Sequence, residues 1–167
     1  MLFDYSWWTF FFRWLHVLSG IMWIGHLWYF NFVQTPSMPK IPDEQKPAIT
    51  KVIAPAALFW FRYGALATVI TGLILAAMSG YLFNALKLGI GDGNRKFTAI
   101  GFGMWFGLIM AYNVWFIIWP KQQQVLGLVD ATPDEKKRAG RMALLASRTN
   151  TMLSIPMVYA MTSTHFY

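Results

Sequence analysis

The stretch YGALATVITGLILAAMSGYLFNAL, Tyr63 to Leu86, runs for 24 residues without a formal charge. About 20 mostly apolar residues, rising about 1.5 Å each, span the hydrocarbon of a bilayer. A helix on the outside of a soluble bundle would carry Lys or Glu on its solvent face, and this one carries neither. Three further segments share the property. Trp14 to Pro39 gives 26 uncharged residues, Phe97 to Pro120 gives 24, and 19 follow Arg148. The whole chain of 167 residues is 56% hydrophobic and only 13% charged, against about 25% charged for soluble domains. The fold class that follows is an all-α integral membrane protein, an antiparallel four-transmembrane-helix bundle. It forms a single membrane domain over 1–167, with spans near 6–32, 56–84, 97–119 and 149–166.

The connections carry the polar residues. The first, Val33 to Pro55, is rich in proline, and Pro42, Asp43 and Glu44 suit the start of a short interfacial helix. The second holds Gly89, Gly91, Asp92, Gly93 and Asn94, a turn-forming cluster. In the third, Thr132-Pro133-Asp134-Glu135 reads as a capping box with proline at the first helical position. It opens a basic amphipathic helix over about 133–147 that runs into the last span. Trp7 to Phe32 is too long for the core of a cleavable signal, and no small-residue cleavage site follows it.

Lys and Arg orient the bundle. Lys40, Lys46, Lys51, Arg62, Lys121, Lys136, Lys137, Arg138, Arg141 and Arg148 lie on one side, ten in all; Arg13, Lys87, Arg95 and Lys96 lie on the other. The richer side is cytoplasmic, so both termini fall on the outer, periplasmic side of a bacterial inner membrane. This asymmetry also accounts for the net charge of +7 without any nucleic-acid partner. Tyr5, Trp7, Trp8, Trp28, Tyr29, Trp60, Tyr63, Trp115 and Trp119 fall near the ends of the spans, where aromatic residues favour the interface. Gly72, Ala76 and Gly80 form a small-residue stripe suited to close helix approach.

Three histidines fall in or at the ends of spans, where an ionisable side chain marks a functional candidate. The choices are haem ligation, copper ligation, proton transfer or a structural hydrogen bond. His16 and His26 are roughly 15 Å apart along their helix and about 80° apart around it, so they do not share one metal. A haem takes at most one axial ligand from this span. His16 ranks first, because neutral imidazole is a good ligand of haem iron and Arg13 lies on the same face to neutralise a propionate. His165 ranks second, on the same side of the bilayer. His26 is third, with Met110 or Met152 near its depth. Met157, Met161 and His165 share a face and form a weaker copper set. Asn113, Arg148 and Asn150 are the remaining polar candidates, as helix-bridging, headgroup or substrate contacts. With no cysteine, the chain has no thiolate metal site and no Cys-x-x-Cys-His for a c-type haem. It carries no phosphate loop, dinucleotide fingerprint or nucleophile elbow.

Three stretches resemble one family. They are Arg13-Trp14-Leu15-His16 through Gly20, Trp23-Ile24-Gly25 and Tyr29; Asn113-Val114-Trp115-Phe116-Ile117-Ile118-Trp119-Pro120 with Gln122; and Arg148-Thr149-Asn150-Thr151 through Ser154-Ile155-Pro156-Met157 to His165-Phe166. Together they resemble the membrane domain of the bacterial cytochrome c-linked urate hydroxylases, the urate oxidase N-terminal family, in a short four-span form. The first stretch has a looser likeness to membrane protoporphyrinogen oxidases, which are four-span haem proteins. Full-length members of the family have more spans, followed by a periplasmic cytochrome c domain. The resemblance implies a membrane redox module, a haem b-binding electron-transfer subunit working with a separate periplasmic cytochrome c, a membrane partner subunit or a second copy of itself. A urate or purine hydroxylase component, with Asn113, Arg148 and Asn150 holding the substrate, is the alternative. A cofactor-free structural subunit of a respiratory complex is the second alternative.

Overall fold

The computed structural model describes residues 4–91, 93–163 and 166. The described residues form helices and turns and no strand. Helix α1 begins at Tyr5–Trp28 and continues through a π turn, Tyr29–Gln34, into Thr35–Ser37. Helix α2 is Lys46–Met78, α3 is the short Leu82–Leu86, α4 is Arg95–Leu126, and α5 is Pro133–Thr162. Helices α1 and α2 pair closely as one antiparallel hairpin, α4 and α5 as another, and the two hairpins pack together. The Tyr5 hydroxyl donates to the Met78 carbonyl and so ties the start of α1 to the end of α2. Two helices, α2 and α4, are long and apolar enough to cross a membrane.

The surface carries large apolar side chains, and several polar side chains lie in the interior beside the apolar core. Phe10, Val17 and Ile21 of α1, Phe59 and Ile70 of α2, Phe102 and Phe116 of α4, and Met152 and Ile155 of α5 are all exposed. Asn150 and Ser154, at 0% exposure, are buried with Thr68 and Thr151. The apolar core is Trp23, Ile24, Leu27, Leu58, Phe61, Ala65, Met110, Val114, Ile118 and Met157.

Small residues set the helix contacts. A Cβ on Gly64 would lie 3.2 Å from the Trp23 backbone nitrogen, and one on Gly103 would lie 3.0 Å from Met161. The expected stripe of Gly72, Ala76 and Gly80 is corrected here. Gly80 has φ +73° and ends the helix in a turn, a conformation glycine adopts without steric cost. The small face of α2 runs the other way, through Gly64, Thr68, Gly72 and Ala76. The second span accordingly stops at Met78 rather than near residue 84.

Three helices run beyond the expected span limits near residues 32, 56 and 119, and each passes through a nearby proline. Proline lacks an N–H and its ring clashes with the carbonyl four residues back. In this fold each proline follows a π turn: Tyr29–Gln34 before Pro36, Ile49–Ile53 before Pro55, and Asn113–Ile118 before Pro120. The N–H groups of Thr35, Ala54 and Trp119 bond five residues back, to Phe30, Ile49 and Val114. The wider turn admits the ring, and the helix continues through the proline. The expected helix start at Pro42 is a turn instead, with Lys46 bonding Asp43 at 2.5 Å.

The capping box forms as the sequence dictates. The Glu135 N–H donates to the Thr132 hydroxyl at 3.3 Å, and the Thr132 N–H donates to the Glu135 carboxylate at 2.8 Å. The Thr132 N–H, and with it the Thr132 hydroxyl at 2.9 Å, donates to the Glu135 carboxylate and holds it below its ordinary value. The basic helix and the last span are one continuous α5, 30 residues long, with Pro156 inside it.

Candidate functional site

His16 lies between α1 and α2, half-buried. Its Nδ1 is 2.9 Å from the Thr68 carbonyl oxygen and 3.5 Å from the Thr71 hydroxyl. A carbonyl only accepts, so Nδ1 carries the proton and Nε2 keeps its lone pair. Gly72 makes the space. A Cβ there would stand 2.7 Å from Cε1 and 2.9 Å from Nδ1 of His16, closer than the ring tolerates. This is the arrangement by which proteins orient a metal-binding imidazole: one nitrogen on a backbone carbonyl, the other free to ligate. The ring is thus fixed in orientation between the two helices.

The other candidates separate. His26 is half-buried and its Nδ1 bonds the Met22 carbonyl of its own helix at 2.7 Å. His165 lies outside the described residues. Arg13 is exposed, and its charge acts on Tyr81. Met152 points outward and Met110 is fully buried in the core. Met157 and Met161 pack against Gly107 and Gly103, so helix packing occupies both thioethers. Among the described residues, no three of His, Asp and Glu converge on a point that would hold a metal ion.

A second constellation runs up the inner face of α5. Asn150 accepts from the Asn113 amide at 2.8 Å and donates to the Met110 carbonyl at 2.9 Å. One turn away, Ser147 accepts from Asn31 at 2.7 Å. In the other direction, Ser154 accepts from the Trp28 indole at 2.9 Å and donates to the Thr151 carbonyl at 2.7 Å. Arg148 is exposed and does not join this row. The row leads to a cavity of about 260 Å³ at the lysine-rich end. Gln34, Thr35, Gln122 and Ser147 supply its polar lining; Phe30, Leu58, Phe61 and Ile118 supply apolar walls. The Gln34 Oε1 is buried without a hydrogen-bond partner. Sequence reasoning placed Asn113 and Asn150 but passed over Asn31, Gln34, Ser147 and Ser154. The visible signal was polar residues three and four apart, Asn31 with Gln34 and Ser147 with Asn150 and Ser154, within apolar spans.

Both Asn113 and Asn150, with Gln122, fall inside the region that compares with known proteins. Residues 94–167 match the family model described as urate oxidase N-terminal. The urate oxidase N-terminal match covers α4 and α5, hence the whole Asn113–Asn150 bridge. It does not extend to α1, where His16 stands. No curated protein and no solved structure matches the chain.

Proposed function

We propose that the chain is a four-span redox module of the bacterial inner membrane, with both termini on the periplasmic side, and that it binds haem b and passes electrons to a periplasmic cytochrome c. It would be a short form of the membrane domain of the cytochrome c-linked urate hydroxylases. The spanning reading is supported by the largely apolar exterior of α1, α2, α4 and the second half of α5, which encloses hydrogen-bonded polar side chains, as expected where no water satisfies polar groups outside. A topology test is simple in a cysteine-free chain. Single cysteines at Lys87 should react with an impermeant maleimide from the periplasm, whereas those at Glu44 and Asp134 should not; the reverse pattern would sink the orientation.

The observation that carries the redox reading is His16, with Nδ1 on the Thr68 carbonyl, Gly72 against its ring, and Nε2 left to ligate. Haem b bound there supplies a one-electron couple whose potential depends on its axial ligand. The protein's part is to hold the imidazole neutral and fixed in orientation, and Arg13, on the same helix, offers a charge for a propionate. The dithionite-reduced spectrum of the purified protein tests it. Haem b bands, bleached on adding oxidised cytochrome c, are expected; a colourless, folded protein from haem-replete cells would overturn it.

The cavity favours a second reading, the purine hydroxylase component. Gln34 and Gln122 each carry a donor and an acceptor on one amide, matching the amide-like edge of an oxopurine. A cofactor-free preparation that oxidises urate with cytochrome c would replace the first reading with this one.

A further inference from the structure

Among the described residues, Arg62 has no acid to pair with. It sits in α2, half-buried, with its guanidinium carbon 3.6 Å from the Trp119 ring centroid, 5.1 Å from that of Tyr63 and 5.5 Å from that of Trp115. Its Nε and Nη1 are buried without a hydrogen-bond partner. No carboxylate among the described residues pairs with it; the ion pair they contain is Lys46–Asp43. Cation–π contacts stabilise such a charge partly, yet they leave it uncompensated where the dielectric is low.

An apolar groove lies beside it. Between α2 and α4 lies an open channel of about 400 Å³, walled by Leu66, Val69, Leu108, Ala111, Trp115 and Phe116. It is almost wholly apolar. Trp115 belongs to both features, so the cation lies near one end of the channel. Leu66 and Val69 follow Arg62 by four and seven residues, so the channel runs roughly 10 Å along the helix from it. Met78 lies roughly 24 Å beyond Arg62 along α2, which puts the guanidinium near the lysine-rich edge of a hydrocarbon layer about 30 Å thick. A cation at the headgroup level above an apolar channel is complementary to one occupant.

We infer that this is a binding site for an anionic phospholipid, its phosphate on the Arg62 guanidinium and one acyl chain in the α2–α4 groove. The inference rests on the membrane-spanning reading and is independent of haem. The test is lipid retention by the delipidated full chain in mild detergent, read by native mass spectrometry. Phosphatidylglycerol and phosphatidylcholine of identical chains are compared. One basic residue near a membrane surface corresponds to a preference of about fivefold for the anionic lipid. The wild type should show it, Arg62→Lys should keep most of it, and Arg62→Gln should bind both lipids equally. Ala111→Leu, which narrows the groove, should lower retention of both lipids per folded protein, and carries the test if Arg62→Gln fails to fold. Equal retention of the two lipids by the wild type, an undiminished preference in Arg62→Gln, or full retention in Ala111→Leu would overturn the proposal. Inorganic phosphate that displaces the lipid's effect at millimolar concentration would reassign the site to a free anion. A chain that purifies without detergent would instead sink the membrane reading itself.

Discussion

Replacing His16 with alanine is expected to abolish haem binding while leaving a folded protein. Removing even an orienting partner of a metal-bound histidine commonly costs about 10–100-fold in affinity, so losing the ligand should leave about a tenth or less of the wild-type haem. Alanine also opens a gap between α1 and α2, which confounds the result if folding suffers. His16→Asn resolves this. Its amide can still donate to the Thr68 carbonyl, as Nδ1 does at 2.9 Å, but it offers no imidazole nitrogen to iron. Gly72→Val supplies the converse. It leaves His16 in the chain but places a side chain where a Cβ alone would come within 2.7 Å of the ring. Haem content should fall by about tenfold, as for a lost orienting contact. Haem stoichiometry per folded protein, with the melting temperature as control, is the measurement. If His16→Asn retains full haem, the ligand is elsewhere.

Asn150→Leu is expected to be among the most destabilising single changes in the bundle. Asn150 is fully buried and bridges two groups of α4, the Asn113 amide and the Met110 carbonyl. Leucine is close in size but leaves both groups unpaired. Within membrane proteins such bonds contribute modestly, and stranding a buried partner adds to the loss. A loss of about 1–2 kcal/mol follows, seen as an earlier midpoint in a denaturant titration in micelles. Asn113→Leu combined with Asn150→Leu should cost less than the sum of the two, because the stranded amide is removed as well. Strictly additive losses would mean that the bridge carries no coupling energy.

The helical class and the approximate helices were legible because charge is expensive in hydrocarbon, so charge-free runs mark length directly. The Thr132–Glu135 box was legible because capping is local. His16 was legible as the leading histidine, but its Thr68 partner, 52 residues away, depends on how two helices meet. The polar row of α5 was read only at Asn150, since Ser147 and Ser154 are ordinary residues until their partners face them. The passage of the helices through Pro36, Pro55 and Pro120 was not legible, because a charge-free run marks an apolar length and not where the helix ends. A π turn placed before each of these prolines lets the helix pass.

Those three π turns have a mechanical consequence. Helices bend most readily where the regular ladder of backbone bonds is interrupted, and wide turns often mark functional positions. Phe30 and Gln34 belong to the first wide turn, Ala54 follows the second, and Ile118 closes the third; all four line the cavity. The segments holding His16 and Thr68 are regular α-helix. The three wide turns therefore cluster at one end of the bundle, around the cavity. The turns around the cavity are the places where these helices bend most easily, whereas His16 and Thr68 stand on regular helix.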